Sequence, residues 1–427
     1  MNAAIIFLIL TALMLTGMPV SISLGLTVLT FLFGFTDVPL ESVALKLFTG
    51  IEKFEIMAIP FFILAGNFLT HGGVAKRMIR FATSMVGHWH GGLGLGGVLA
   101  CALFAAVSGS SPATVVAIGS ILLPAMVKAG FPNKFGAGVI TTSGALGILI
   151  PPSIVMVMYS VATNTSVGAL FMAGVVPGLV LAAVLGGVTY YRARKFGYPR
   201  LPRESWGARW RAFRESIWGL FLIIVVMGGI YTGMFTPTEA AAMSAVYAFC
   251  VAVFVYKDMG LKDIPKVLLN SANMSAMLLY IITNAVLFSF ILTNENIPQA
   301  LADWMLGHGL GVVTFLLAVN VILLLAGNFM EPSSIMLIFA PILFPVAMKL
   351  GIDPIHFGII MVVNMEVGMC HPPVGLNLYV ASGITKMGIT ELTVAVWPWL
   401  LAMLGFLVAV TYLPIMSLWF PRWLGML

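Results

Sequence analysis

Long apolar runs recur from end to end of the chain, and short polar or Gly/Pro-rich breaks interrupt them. A run of about 20 apolar residues predicts a helix long enough to cross a membrane. Residues 3–19, 21–36, 55–70, 135–150, 153–191, 216–235, 238–256, 271–293, 355–370 and 391–418 read as spans, with 135–150 and 153–191 broken or bent. Two further segments differ. Residues 91–130 are interrupted by Ser108-Gly109-Ser110-Ser111-Pro112, and residues 309–350 by Gly327-Asn328-Phe329-Met330-Glu331-Pro332-Ser333-Ser334. Each arm is span-length or slightly shorter and each break is polar, which predicts a re-entrant helical hairpin. Irregular backbone at that depth is tolerated only where protein or a watery cavity surrounds it. The amphipathic stretches 74–88 and 296–306, one before each hairpin, predict interfacial arm helices. The first run, from Ala3 to about Leu15, lacks a basic leading region and a small-residue cleavage site, so it reads as a retained span.

The breaks occur twice in register. A shift of 221 positions carries Pro124 onto Pro345, Lys128 onto Lys349, Gly130 onto Gly351 and Gly147 onto Gly368. It also carries Pro151-Pro152 onto Pro372-Pro373 and Pro177 onto Pro398. Paired, Gly/Pro-interrupted segments in two halves point to the binding site of a secondary transporter. The first repeat is 1–191: scaffold helices 1–70, arm helix 74–88, hairpin 91–130 and broken helix 135–165. A basic connector, 192–215, follows. The second repeat is 216–427: scaffold helices 216–293, arm helix 296–306, hairpin 309–350, broken helix 355–385 and final helix 391–418.

Composition narrows the setting. Hydrophobic residues make up 60% of the chain and charged ones 8%, against about 25% charged in soluble domains. The expected fold is therefore an all-α polytopic membrane protein. The net charge of +6 reflects lysines and arginines flanking spans, with no nucleic-acid partner implied. With the N-terminus outside, the inside loops hold Lys76, Arg77, Arg80, Lys128, Lys134, the run from Arg192 to Arg214, Lys257, Lys262, Lys266 and Lys386. The outside keeps Lys46, Lys53, Lys349 and Arg422, a distribution of 17 against 4. Turning either hairpin into a double span leaves this parity unchanged, so the count sets orientation without proving re-entry. Both termini are expected to face the periplasm. The second repeat then begins on the opposite side from the first, and the two are inverted in topology.

The candidate chemistry lies at the breaks. A helix that stops within the membrane leaves backbone groups without partners. Ser110, Ser111 and Thr114 supply hydroxyls at the first tip; Asn328, Glu331, Ser333 and Ser334 supply polar groups at the second. Pro112 and Pro332 suit the first turn of a returning helix, whose free amides suit an anion. The Pro-Pro pairs unwind their own helices and free carbonyls near Gly147–Ile150 and Gly368–His371, which suits a cation. Basic residues in these segments, Lys128, Lys134, Lys349 and Lys386, lie only at the ends. A carboxylate substrate would depend on amides, hydroxyls and bound cations, which favours cation coupling. The substrate-binding candidates are Ser110, Ser111, Thr114, Asn328, Ser333, Ser334, Asn364 and Asn377.

Other features weigh less. Gly92-Leu93-Gly94-Leu95-Gly96-Gly97 formally contains GxGxxG, yet no strand precedes it and close helix packing explains it. Cys101, Cys250 and Cys370 are scattered through apolar segments, without a disulfide framework or transition-metal spacing. Glu331 and Glu366 are costly in a bilayer and carry functional or pairing roles. His71, His88, His90 and His308 fall near interfaces.

Three motifs carry a family resemblance: Gly233-Met234-Phe235-Thr236-Pro237-Thr238-Glu239-Ala240-Ala241-Ala242, Gly147-Ile148-Leu149-Ile150-Pro151-Pro152-Ser153 and Pro372-Pro373-Val374-Gly375-Leu376-Asn377-Leu378. With Ser108-Gly109-Ser110 they make the chain resemble, over essentially its full length, the large membrane subunit of tripartite ATP-independent periplasmic (TRAP) transporters. The resemblance implies an elevator mechanism, Na⁺ as coupling ion and no organic cofactor. It implies a small four-helix membrane subunit and a periplasmic substrate-binding protein as partners in the bacterial inner membrane. One Na⁺ site would involve Ser108, Ser110, Gly147, Ile150 and Pro152; the other Gly327, Gly368, His371 and Val374. The family usually has Thr where this chain has His371. A main-chain carbonyl ligand survives that change and a hydroxyl ligand does not. The expected function is Na⁺-coupled uptake of a small organic acid, such as a C4-dicarboxylate or sialic acid. The alternatives are a self-sufficient divalent-anion/Na⁺ symporter and, more remotely, an intramembrane enzyme using Glu366, Cys370 and His371.

Overall fold

The computed structural model describes every residue except Met1, Asp37, Leu310, Phe329, Pro373 and Val374. All regular structure among the described residues is helical. The first helices are α1 (Asn2–Leu15), α2 (Val20–Phe35), α3 (Leu40–Ile51), α4 (Ala58–His71) and α5 (Val74–Val86). Next come α6 (Gly92–Ser108), α7 (Ser111–Lys128), α8 (Asn133–Gly144), α9 (Ile154–Thr163) and α10 (Val167–Lys195). After the basic connector stand α11 (Trp206–Ile223), the single turn α12 (Gly229–Tyr231), α13 (Pro237–Cys250), α14 (Ile264–Asn294) and α15 (Ile297–Gly307). The chain closes with α16 (Val312–Gly327), α17 (Pro332–Lys349), α18 (Pro354–Gly368), α19 (Leu376–Thr385), α20 (Ile389–Tyr412) and α21 (Ile415–Trp423). Eight helices among the described residues are long and apolar enough to cross a membrane.

Element bounds follow the sequence breaks, with local differences. The apolar run 153–191 is two helices, because Asn164 takes a left-handed conformation (φ 56°) that ends α9, and Ser166 caps α10 by accepting from the Ala169 N–H at 3.2 Å. The run 391–418 divides at Leu413–Pro414, since Pro414 has no amide to continue α20. Helix α14 begins seven residues before the apolar run 271–293, with Lys266 in its first turn. Helix α3 has no counterpart in the apolar runs; its pattern is amphipathic and interrupted by Glu41 and Lys46. The Gly233–Ala242 motif resolves into a capping box at the start of α13. Thr236 Oγ1 accepts from the Glu239 N–H at 3.3 Å, while Glu239 Oε2 accepts from the Thr236 N–H at 2.8 Å.

Adding 221 to the bounds of α7 gives those of α17, and the same shift brings the starts of α8, α9 and α10 to within one residue of α18, α19 and α20. In space, α6 and α7 pack on each other and on α8; α17 packs on α9, α18 and α14; α19 packs on α7 and α8. Around them, α4 pairs with α13 and α14, and α14 covers α2 and α3. Helices in lipid lack a hydrophobic drive toward each other, so close approach and interhelical hydrogen bonds hold such a bundle. Trp399 shows both: it is fully buried, and its Nε1–H donates to Thr189 Oγ1 at 2.9 Å between α20 and α10.

Candidate functional site

The first hairpin turns at Ser108–Ser111. Gly109, at φ +61°, ends α6 and lets Ser110 begin α7 in extended conformation. Ser108 Oγ lies 2.9 Å from Thr114 Oγ1, and Thr114 Oγ1 donates to the Ser110 carbonyl at 2.9 Å, so the tip is tied internally. The Ser110 side chain makes no capping bond, which leaves the N-terminal amides of α7 without a side-chain partner.

The opposing break begins where α8 tightens into a 3₁₀ turn at Ala145–Ile148 and ends at Ser153. Ser153 Oγ donates to the Ile148 carbonyl at 2.6 Å and accepts from the Met156 N–H at 3.4 Å. The carbonyls of Ile150 and Pro152 accept no hydrogen bond from the described residues. Gly147 lies against the tip. A Cβ there would stand 2.6 Å from the Ser110 carbonyl oxygen and 2.7 Å from the Ser111 nitrogen. A Cβ on Gly109 would stand 2.9 Å from the Pro152 carbonyl. Ser110 thus meets Gly147, and the Gly109 bend beside Ser108 meets Pro152. Ile150 belongs to the same break, its side chain filling the space against Gly178.

The second tip meets the second break in the same way. Gly327 and Gly368 are in backbone contact: a Cβ on either would come within 2.9 Å of the other's Cα. The Asn328 side-chain amide meets the break 2.9 Å from His371 Nδ1; with its nitrogen on that side it donates to His371 Nδ1, to Pro372 O at 3.0 Å and to His371 O at 3.2 Å. Gly327, Gly368 and His371 are therefore brought together; Val374 lies outside the described residues. Glu331 caps α17, its Oε1 accepting from the Ser334 N–H at 3.2 Å and from Ser334 Oγ at 3.3 Å. The second helix start is thereby filled by the protein's own carboxylate, whereas the first is not.

The halves are stitched across each other. Asn377 Nδ2 donates to Ser111 Oγ at 2.7 Å and to the Thr141 carbonyl at 3.4 Å, all fully buried. Cys370 Sγ also donates to the Thr141 carbonyl, at 3.4 Å.

A cavity of about 500 Å³ opens between the tips. Gly109, Ser110, Ser111 and Pro112 line it from the first hairpin, and Glu331, Pro332 and Ser333 from the second. Neither lysine nor arginine lines it. Of the predicted substrate residues, Ser110, Ser111 and Ser333 face this space. Thr114 and Ser334 are bonded within their own tips, and Asn328 holds the second break. Asn377 reaches the cavity only through Ser111. Asn364 lies elsewhere, its Nδ2 donating to Asn320 Oδ1 at 2.8 Å, with Asn320 continuing to Thr411 Oγ1 at 3.0 Å. Glu366 is fully buried, and neither carboxylate oxygen has a hydrogen-bond partner among the described residues. A partnerless carboxylate at that depth is costly.

Lining residues that sequence reasoning missed come from the surrounding helices: Asn67 and Thr70 of α4, and Met274 and Met277 of α14. Asn67 Nδ2 donates to Ser271 Oγ at 2.8 Å, joining α4 to α14. Polar Asn67 and Thr70 within the apolar run 55–70 were the available signal.

A family model described as "Tripartite ATP-independent periplasmic transporter, DctM component" matches residues 7–416. The chain belongs to this family. It is the large permease subunit of a TRAP transporter, a multi-pass membrane protein and not an enzyme, which sets aside the intramembrane-enzyme reading. A C4-dicarboxylate TRAP transporter large permease protein of Rhodobacter capsulatus is 76% identical, with 100% of both chains covered. A sialic acid TRAP transporter large permease protein of Vibrio cholerae is 35% identical, with 96% of each covered. An isethionate TRAP transporter permease protein of Oleidesulfovibrio alaskensis is 41% identical; 95% of this chain covers 64% of that longer protein. Among solved structures, the Alcanivorax borkumensis YdaH transporter aligns with a TM-score of 0.55 at 14% identity, over 84% of this chain and 86% of that one. That likeness concerns the fold alone.

Proposed function

We propose that this subunit carries out Na⁺-coupled uptake of a C4-dicarboxylate across the bacterial inner membrane, with the cavity between the hairpin tips as the substrate site. The 76% identity to a C4-dicarboxylate permease over the whole chain is the observation that carries the substrate class. One substrate carboxylate docks at the uncapped start of α7, on Ser110 and Ser111. A helix terminus contributes about 0.3–1 kcal/mol to an exposed anion and up to about 2 when partly buried, too little for tight binding. Na⁺ supplies the rest. One ion is held by Ser108, Ser110 and the carbonyls of Gly147, Ile150 and Pro152, and a second by Gly327, Gly368, His371 and Val374. The unbonded Ile150 and Pro152 carbonyls support the first set. At the second, the His371 ring faces Asn328, so its main-chain oxygen, which also accepts from Asn328, is the group left to coordinate the ion.

The hairpins and broken helices move as one transport unit against the remaining helices, in an elevator mechanism. The two halves are inverted repeats, 1–191 and 216–427, joined by the basic connector; the recurring helix bounds support this division. Both termini face the periplasm. A small four-helix membrane subunit completes the permease, and a periplasmic binding protein delivers substrate. The isethionate relative, whose name joins DctM to DctQ in one longer chain, is consistent with such a partner.

Proteoliposomes test the reading. With the small subunit, a binding protein and an inward Na⁺ gradient, radiolabelled succinate should accumulate. Removing Na⁺ or either partner should abolish uptake. Undiminished uptake by the large chain alone would instead make it a self-sufficient symporter, and gradient-independent uptake would remove Na⁺ coupling.

A further inference from the structure

The basic connector builds a second, cationic pocket remote from the hairpin tips. The turn after α5 and the segment after α10 enclose a cavity of about 340 Å³ lined by His88, Trp89, His90, Tyr190 and Arg200. The Leu201 N–H donates to the Gly87 carbonyl at 3.0 Å and pins the connector across this turn. Arg200 contacts His90 Nε2. The imidazoles of His88 and His90 are both held below the usual value, first by burial and then by arginines: Arg209 and Arg203 for His88, Arg200 and Arg194 for His90. Of these four arginines, Arg200 lines the cavity itself.

These cations lack counter-charge. Residues 192–214 contain eight lysines and arginines and one acid, Glu204. Among the described residues, none of the eight is in an ion pair. His88 lines the cavity, and its Nδ1 is buried with no hydrogen-bond partner among the described residues. A buried donor is costly when unmatched. A cavity lined by such a donor and by Arg200 is completed by an anion that brings several acceptor oxygens.

The surroundings select a lipid as the source of that anion. The pocket sits between the end of one span-length helix, Val167–Lys195, and the start of another, Trp206–Tyr231. Trp89 lines it and is 52% exposed, and Trp206 and Trp210 stand at the start of the following span, 75% and 65% exposed. Exposed tryptophans at the ends of spans mark headgroup level, and basic pockets at that level bind anionic headgroups. A freely dissolved phosphate would give these rings nothing to contact.

We propose that this pocket binds the phosphate headgroup of an anionic phospholipid, with His88, His90 and Arg200 as donors and its acyl chains beside Trp89. The bound lipid would lock the connector onto the turn after α5. The full chain in detergent is titrated with phosphatidylglycerol, phosphatidylcholine or inorganic phosphate. Bound lipid is counted by native mass spectrometry, and thermal unfolding is followed in parallel. Phosphatidylglycerol should bind and raise Tm, phosphatidylcholine should bind on the order of tenfold more weakly, and inorganic phosphate should not displace the lipid. Arg200→Gln and His88→Gln should each weaken phosphatidylglycerol binding on the order of tenfold. Arg211→Gln, which removes an exposed charge from the same connector region, should leave it unchanged. Arg200 is exposed, so its variant reports on the pocket even if His88→Gln does not fold. Equal binding of the two lipids, or unchanged affinity in Arg200→Gln, overturns the proposal. Displacement of phosphatidylglycerol by inorganic phosphate also overturns it, in favour of a site for soluble anions.

Discussion

At the scale of single residues, glycines set the distance between each hairpin tip and its break. Gly147 and Gly368 admit backbone to backbone, and one added carbon meets backbone atoms that cannot swing aside. Overpacking of this kind costs about 1–3 kcal/mol. Gly147→Ala and Gly368→Ala should therefore reach the membrane in normal amount but lose Na⁺-driven uptake by roughly tenfold or more. Unimpaired Na⁺-dependent transport in both variants would show that close carbonyl approach is not required. Glu331 is a second residue-scale case. Its carboxylate is turned onto Ser334 as the cap of α17, rather than left to face substrate unpaired. Glu331→Gln retains an acceptor for that cap, so substrate affinity at saturating Na⁺ should persist and any loss should fall on the transport rate. Lost binding in a filtration assay would give the carboxylate a direct role with substrate.

At the scale of elements, the two hairpins share a design but differ at their helix starts. Helix α7 offers uncapped amides, and α17 spends its own on Glu331. A substrate with two carboxylates thus meets unequal ends. Another element-scale contact joins α9 to the segment before α4. Lys53 Nζ donates to the Val161 carbonyl at 2.5 Å and to Asn164 Oδ1 at 2.7 Å, where α9 ends. A cation suits the negative end of a helix, contributing about 0.3–1 kcal/mol when exposed and up to about 2 when partly buried. In an elevator, α9 travels while the segment before α4 stays, so this contact must open in each cycle. Lys53→Met should destabilise the present arrangement by about 1 kcal/mol, read as a lower Tm in detergent together with easier cross-linking of the opposite state. An unchanged Tm and cross-linking pattern would reduce the lysine to a surface contact.

At the scale of the molecule, orientation rests on the distribution of lysine and arginine: 17 on one side and 4 on the other. On the proposed orientation, an alkaline phosphatase fused at residue 205 should be inactive, whereas fusions near either terminus should be active. Activity at 205 would reverse the topology and remove the inverted relation of the repeats. Each returning helix has 18 residues, or about 27 Å at 1.5 Å per residue, and is span-length by itself.

What the sequence determined follows from punctuation and periodicity. Pro112 and Pro332 stand in the first turns of α7 and α17, and the breaks before them end α6 and α16 locally, because a missing amide or a left-handed turn acts within a few residues. The helix ends at these breaks were therefore legible without coordinates, as was membrane residence from 8% charge. Helix α3 escaped because an amphipathic interfacial helix leaves no long apolar run. The tertiary structure alone decided which polar groups meet. Asn377 reaches Ser111 across 266 positions, Asn364 turns to Asn320 instead of the cavity, and Asn67 and Thr70 enter its wall from α4. No local signal fixes such partners, because a buried amide bonds to whichever helix the packing brings within about 3 Å.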